Sequence, residues 1–107
     1  MSKGRLRWSV RSLSHLAEIE EYIAEDDPVA AAKFIVRLRK RARAAAKRPM
    51  IGRRPPEGFA AEVREVIEAG YRVIYREEPE GITVLYVGEG HRLVDVDETD
   101  VDDAGDP

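Results

Sequence analysis

The sequence predicts an α+β domain of order β-α-α-β-β-β, a helical hairpin packed on a mainly antiparallel twisted sheet. Three observations carry this. The apolar period is two at the start, 3.6 from about residue 12 to 47, and two again after residue 61. An Asp-Asp-Pro break at 26–28 is too short for anything but a tight helical connection. The sequences AG at 69–70 and EPEG at 78–81 leave room only for short turns, which join antiparallel neighbours.

Residues 5–10, RLRWSV, alternate, with Leu6, Trp8 and Val10 opposing Arg5, Arg7 and Ser9, as in a strand with one buried face. Over 12–26, Leu13, Leu16, Ile19 and Ile23 share one helical face, and Ser12 or Ser14 can cap its start. Asp27 then suits an N-cap and Pro28 a first helical position, where its missing N–H costs nothing. The second helix runs to about Lys47 with the stripe Ala31, Phe34, Ile35, Leu38, Ala42 and Ala45, and stops before Pro49. A loop of prolines and glycines fills 49–60. Strands follow at 62–67, 71–76 and 82–87, and the last, ITVLYV, is apolar on both faces like a central strand.

Composition narrows the function. Charged residues make up 36% of the 107, which fits a globular domain with a heavily charged surface. There is no cysteine, and two distant histidines do not suggest a metal site, so no cofactor and no metal are expected. No apolar run approaches a membrane span and the N-terminus has no apolar core, so the expected location is the cytoplasm, without membrane contact. The net charge of −3 hides an asymmetry. Seven of the 21 acids fall in 95–107 with no base, leaving 14 acids against 18 bases in 1–94. The domain is therefore placed at 1–94, followed by an acidic tail at 95–107, disordered from about residue 98.

The opening LRWSVRSLSHLAEIEEYIAEDDPVAAAKF, the loop RPMIGRR and the block REVIEAGYRVIYREEPEGITVLYVGEGHR occur in the order found in one family. Over about residues 5–93 the chain resembles the RelE/ParE superfamily of type II toxin–antitoxin toxins, the ParE type more than the RelE type. The resemblance implies a toxin neutralised by a cognate antitoxin. RelE-like members cleave mRNA on the ribosome, and ParE-like members bind and poison DNA gyrase.

Cleaving RNA through its own 2′-OH needs a base, cations around the phosphate and an acid for the leaving oxygen. Under a RelE-like reading Arg64, Arg72 and Arg92 are candidate phosphate clamps and His91 a candidate acid or base. Two features of that type are missing. The strand before GYR carries Arg64 among Glu62, Glu65 and Glu68 in place of lysines, and no tyrosine follows Arg92. A ParE-like toxin needs no catalytic residue, and that reading leads. The strand arginines have a plainer reading too, as solvated groups or partners of the strand glutamates.

Two surfaces stand out. Lys33, Arg37, Lys40, Arg41 and Lys47 make the second helix basic, for contact with nucleic acid or an acidic stretch of antitoxin, or simply as a solvated face. Leu16, Ile19, Phe34, Ile35 and Leu38 are expected to line or underlie an antitoxin groove between hairpin and sheet, and they read equally as core. His15 is expected at the surface, and Trp8 and Tyr22 in the core and at its rim.

Overall fold

The structure, a computed structural model, describes residues 4–100. Strand β1 (Arg5–Trp8) leads into helix α1 (Val10–Ala24) and helix α2 (Pro28–Lys47). A 3-10 turn at Pro49–Ile51 and a loop precede β2 (Val63–Glu68), β3 (Tyr71–Glu78) and β4 (Gly81–Glu89). The strands form one sheet in the order β1-β4-β3-β2, with β1 and β4 parallel and the other pairs antiparallel. This is the α+β architecture expected. Its last strand lies inside the sheet, which explains why ITVLYV is apolar on both faces.

The first strand is shorter than its alternation suggested. Ser9 already caps α1, its backbone extended and its Oγ accepting from the Ser12 amide at 3.0 Å. Ser12, proposed as a cap, lies buried in the first turn and its hydroxyl donates to the Ser9 carbonyl. Val10 thus opens the helix, 53% exposed, instead of pointing inward from a strand. A period of two cannot mark the point at which the chain turns. The second start followed the expectation, for Asp27 accepts from the amides of Val29 and Ala30 and Pro28 takes the first helical position.

The turns set the registers. Ala69 and Gly70 both have positive φ, 49° and 82°, the pattern of the two-residue hairpin turn whose twist matches its strands. Gly81 allows the parallel contact with β1, since a Cβ there would lie 1.8 Å from the Arg5 carbonyl oxygen. A register shift follows between Ile74 and Tyr75, opposite Tyr86 and Val84, so Leu85 is the extra residue of a bulge.

The helices cover one face of the sheet. Trp8, Leu38, Tyr75 and Val84 are fully buried there, with Val66, Val73, Ile82 and Val87 around them. Ala42, Ala45 and Ala46 have no exposed surface, and their small side chains let α2 come close to the strands. Leu16 and Leu38 belong to this interior. On the far face Val63, Ile74 and Leu85 form a second cluster, covered by Phe59, Val94 and Val96.

That cover changes the reading of the tail. After β4 the chain crosses the far face, where Arg76 donates to the carbonyls of Glu98 and Asp100 and Glu98 accepts from the Ala60 amide. The first residues of the expected tail run along this face as far as Asp100, and 101–107, the rest of it, lie outside the described residues. Val94 and Val96 alternate among acids in LVDVDE, a short strand-like signal that the charge count concealed. Among the described residues no helix is long and apolar enough to cross a membrane.

The cap assignment separates three serines. Replacing Ser9 by Ala should lower stability by about 1 kcal/mol, measured as a urea midpoint at unchanged slope, while Ser14→Ala should leave it unaltered.

Candidate functional site

Strand alternation decides which candidate residues meet. Arg64 pairs with Tyr75 and Arg72 with Ile67 across the β2–β3 ladder, so the two arginines sit on opposite faces of the sheet. Arg64 stays on the helix side, its Nη1 donating to the Gly52 carbonyl at 3.0 Å with Glu77 nearby. It cannot join a phosphate clamp with Arg72.

Arg72 is 2% exposed and already held. Its two terminal nitrogens grip Glu57 in a fork at 2.6 and 2.7 Å, and its Nε donates to Glu65 at 2.7 Å. Nη1 also reaches the Arg92 carbonyl at 3.3 Å. Glu65, 1% exposed, takes a second cation from Arg53 at 2.7 Å. Glu57 also accepts from the Val94 amide at 3.1 Å. The donors a phosphate would need are thus committed to two carboxylates. The Arg72 hydrogen bonds hold the Glu57 carboxyl down at about 2, against the opposing effect of its burial. In turn Glu57, followed by Glu65, holds the Arg72 guanidinium in its charged form more firmly than usual, despite burial.

His91 and Arg92 lie exposed just after β4, in a shallow cleft of about 220 Å³ shared with Arg53, Arg72 and Leu93. The fold therefore brings together Arg72, His91 and Arg92 and leaves Arg64 out. Sequence reading missed Glu57, the residue that closes the network. It sits in a proline-rich loop, PPEG, where nothing local distinguishes it from a solvated glutamate.

The basic face of α2 is partly used within the fold. Arg37 meets Glu68 at 2.5 Å with its guanidinium over the Phe34 ring, and Arg41 donates to the Ile67 carbonyl at 3.2 Å. Both tie α2 to the edge strand β2. Lys33, Lys40 and Lys47 remain exposed.

The expected apolar groove is closed at its centre, because Leu16 and Leu38 are core, and it opens at two places. One opening, about 520 Å³, lies between α1 and α2 over Leu13, Leu16, Ala17, Ile35 and Val36, with Glu20 and Arg39 at its edge. The other, about 430 Å³, lies between α1 and the sheet and contains His15, Ile19, Tyr22, Tyr71 and Tyr86. Phe34 is taken up by an edge-on contact with Tyr71, ring centres 5.1 Å apart. Two expectations fail here. His15 is half-buried, its Nδ1 accepting from the Val87 amide at 3.2 Å, and Tyr22 is 68% exposed.

Residues 6–94 match the family model described as the ParE toxin of the type II toxin–antitoxin system parDE. The chain belongs to the ParE toxin family. A curated protein named as a candidate toxin, Y4kP of Sinorhizobium fredii (strain NBRC 101917 / NGR234), is 38% identical over 90 residues, covering 80% of this chain and 91% of that protein. A solved structure titled a chromosomal ParDE TA system from P. aeruginosa has the same fold, with a TM-score of 0.67 at 18% identity over 81% of this chain and 96% of that one. The ParE family match thus ends where the acidic tail begins. As a type II toxin family it implies a protein antitoxin as partner.

The Glu57 network carries a pH signature. Its carboxyl is displaced from 4.5 to about 2, so the unfolded chain takes up the proton first as pH falls. The stabilisation is complete above about pH 4.5 and is lost on the way down to about 2. Glu57→Gln should cost about 2–4 kcal/mol at pH 7, by urea denaturation, and should flatten this part of the acid limb.

Proposed function

We propose that this ParE-family chain arrests growth by binding DNA gyrase, with no catalysis of its own, until a cognate antitoxin covers it. The observation that carries the reading is the locked state of Arg72. An arginine spent on Glu57 and Glu65 stabilises a fold and gives no charge to a reacting phosphate. The nearby His91 and Arg92 are exposed, with Tyr86 and Glu89 lining the same cavity, and among the described residues no side-chain hydrogen bond holds either of them as a proton relay would require. Poisoning an enzyme by occupation asks only for a rigid shaped surface, which the two-layer fold and the buried network provide. Such a target places the toxin in the cytoplasm.

For the antitoxin, the opening between α1 and α2 suits an apolar segment. Val36, 48% exposed, and Ile35 offer contacts there, with Leu16 and Leu38 beneath as support. Ile19 lines the second opening and Phe34 packs on Tyr71 of its wall, so a segment that folds as it binds can cross both. Lys33, Lys40 and Lys47 can meet an acidic stretch of the same partner.

Purified chain added to gyrase, ATP and supercoiled plasmid should build up linear plasmid after detergent and protease treatment. No change in topology at toxin excess would overturn the gyrase reading. Codon-phased mRNA cuts in a translation extract, lost on Arg92→Ala, would put a ribosome-dependent endoribonuclease in its place. Induction without growth arrest would leave a non-toxic interaction or DNA-binding relative.

A further inference from the structure

The opening between α1 and the sheet differs in chemistry from the opening between the helices. Its walls are aromatic, and among the described residues the charged side chains that line it are Glu18 and Glu89. Tyr22, Tyr71 and Tyr86 surround it with His15 and Ile19, and Glu18 and Glu89 stand at its rim. The His15 and Tyr86 rings meet edge-on, 4.9 Å between centres. Tyr86 lies across Gly88, where a Cβ would fall 2.3 Å from its hydroxyl, so the bare backbone is what makes room for the ring. Among the described residues neither Glu18 nor Glu89 has an ion-pair partner. Burial holds the His15 imidazole below its usual range, and Glu18 raises it and Arg11 lowers it by smaller amounts. With Nδ1 accepting from Val87, the ring is neutral near pH 7 and adds no positive charge.

The kinds of side chain that could enter are few. An acidic group would face two carboxylates. An aliphatic group would strip water from those carboxylates and return no hydrogen bond. A guanidinium satisfies both requirements, since its flat face stacks on phenol rings and its edge donates to carboxylates. Phosphate would face the same two carboxylates, so the cleft itself suits a protein side chain better than a nucleic-acid backbone. We propose that the cleft between α1 and the β3–β4 end of the sheet receives one arginine side chain of the antitoxin, held by Tyr22 and Tyr86 against Glu18 and Glu89. The assignment to the antitoxin rests on the toxin reading. Recognition of a guanidinium does not.

The full chain is titrated with N-acetyl-arginine amide and followed by backbone amide NMR. Shifts should concentrate at Tyr22, Val87, Gly88 and Glu89. The citrulline analogue, of equal shape without charge, should bind about tenfold more weakly, and so should arginine to a Glu18→Gln, Glu89→Gln double variant of unchanged melting temperature. Equal binding of the two analogues would overturn the proposal, as would shifts centred on residues 95–100. In a second arm, the double variant should bind the antitoxin encoded beside this gene about tenfold more weakly than the wild type. Unchanged affinity would remove the antitoxin as the source of the arginine. Growth arrest by the wild-type chain alone is read in parallel, and its absence counts against the toxin reading, not against arginine binding.

Discussion

A buried arginine held between a buried strand glutamate and a half-buried loop glutamate governs the far half of this molecule. Arg72 stands on β3, Glu65 on β2 and Glu57 in the loop before β2, and the Val94 amide joins from the segment after β4. Four stretches of chain thus meet at one charge cluster. Removing one member would leave charge uncompensated at the floor of a cleft, which costs about 2–4 kcal/mol. Around it a set of arginines works on the main chain. Arg54 donates to the carbonyls of Phe59, Ala60 and Ala61, and Arg76 to those of Glu98 and Asp100. Irregular segments that lack ladder partners of their own are thereby satisfied.

The two faces of the sheet divide the labour. The helix face is dry and closely packed, with alanines where α2 nears the strands. The far face combines a small apolar cluster with the ion-pair network and carries the last placed residues as a strap. The proposed partner surfaces lie at the margins of the helix layer, where α1 leaves openings that the core does not fill.

Much of the fold was legible because it depends on local patterns. The switch from period two to 3.6, the Asp27–Pro28 start and the Ala69–Gly70 turn each read directly into structure. The first strand was misjudged because Ser9 and Ser12 look alike in sequence, and only the extended backbone of Ser9, with its Oγ accepting from the Ser12 amide, picks the cap. The site was less legible. Glu57 and Arg72 are 15 residues apart and meet only when a proline-rich loop folds back on the sheet. His15 and Val87 are 72 apart. Tyr22 looked like core rim because its helical position is right, yet the helix end overhangs an open cleft. Chemistry assembled from distant segments leaves no period and no spacing to read.

The position of β4 has a consequence for how the molecule comes into being. Among the described residues the first strand finds its only partner in β4, with Arg5 beside Gly81. The hairpin can form early, but its apolar face has no complete sheet to rest on until the final strand arrives. Contacts between such distant segments slow folding, because a long loop must close before any of them is gained. A chain that has not yet reached β4 is therefore an unfinished sheet with an exposed helical face, and the shaped surface comes into existence only once that strand has joined.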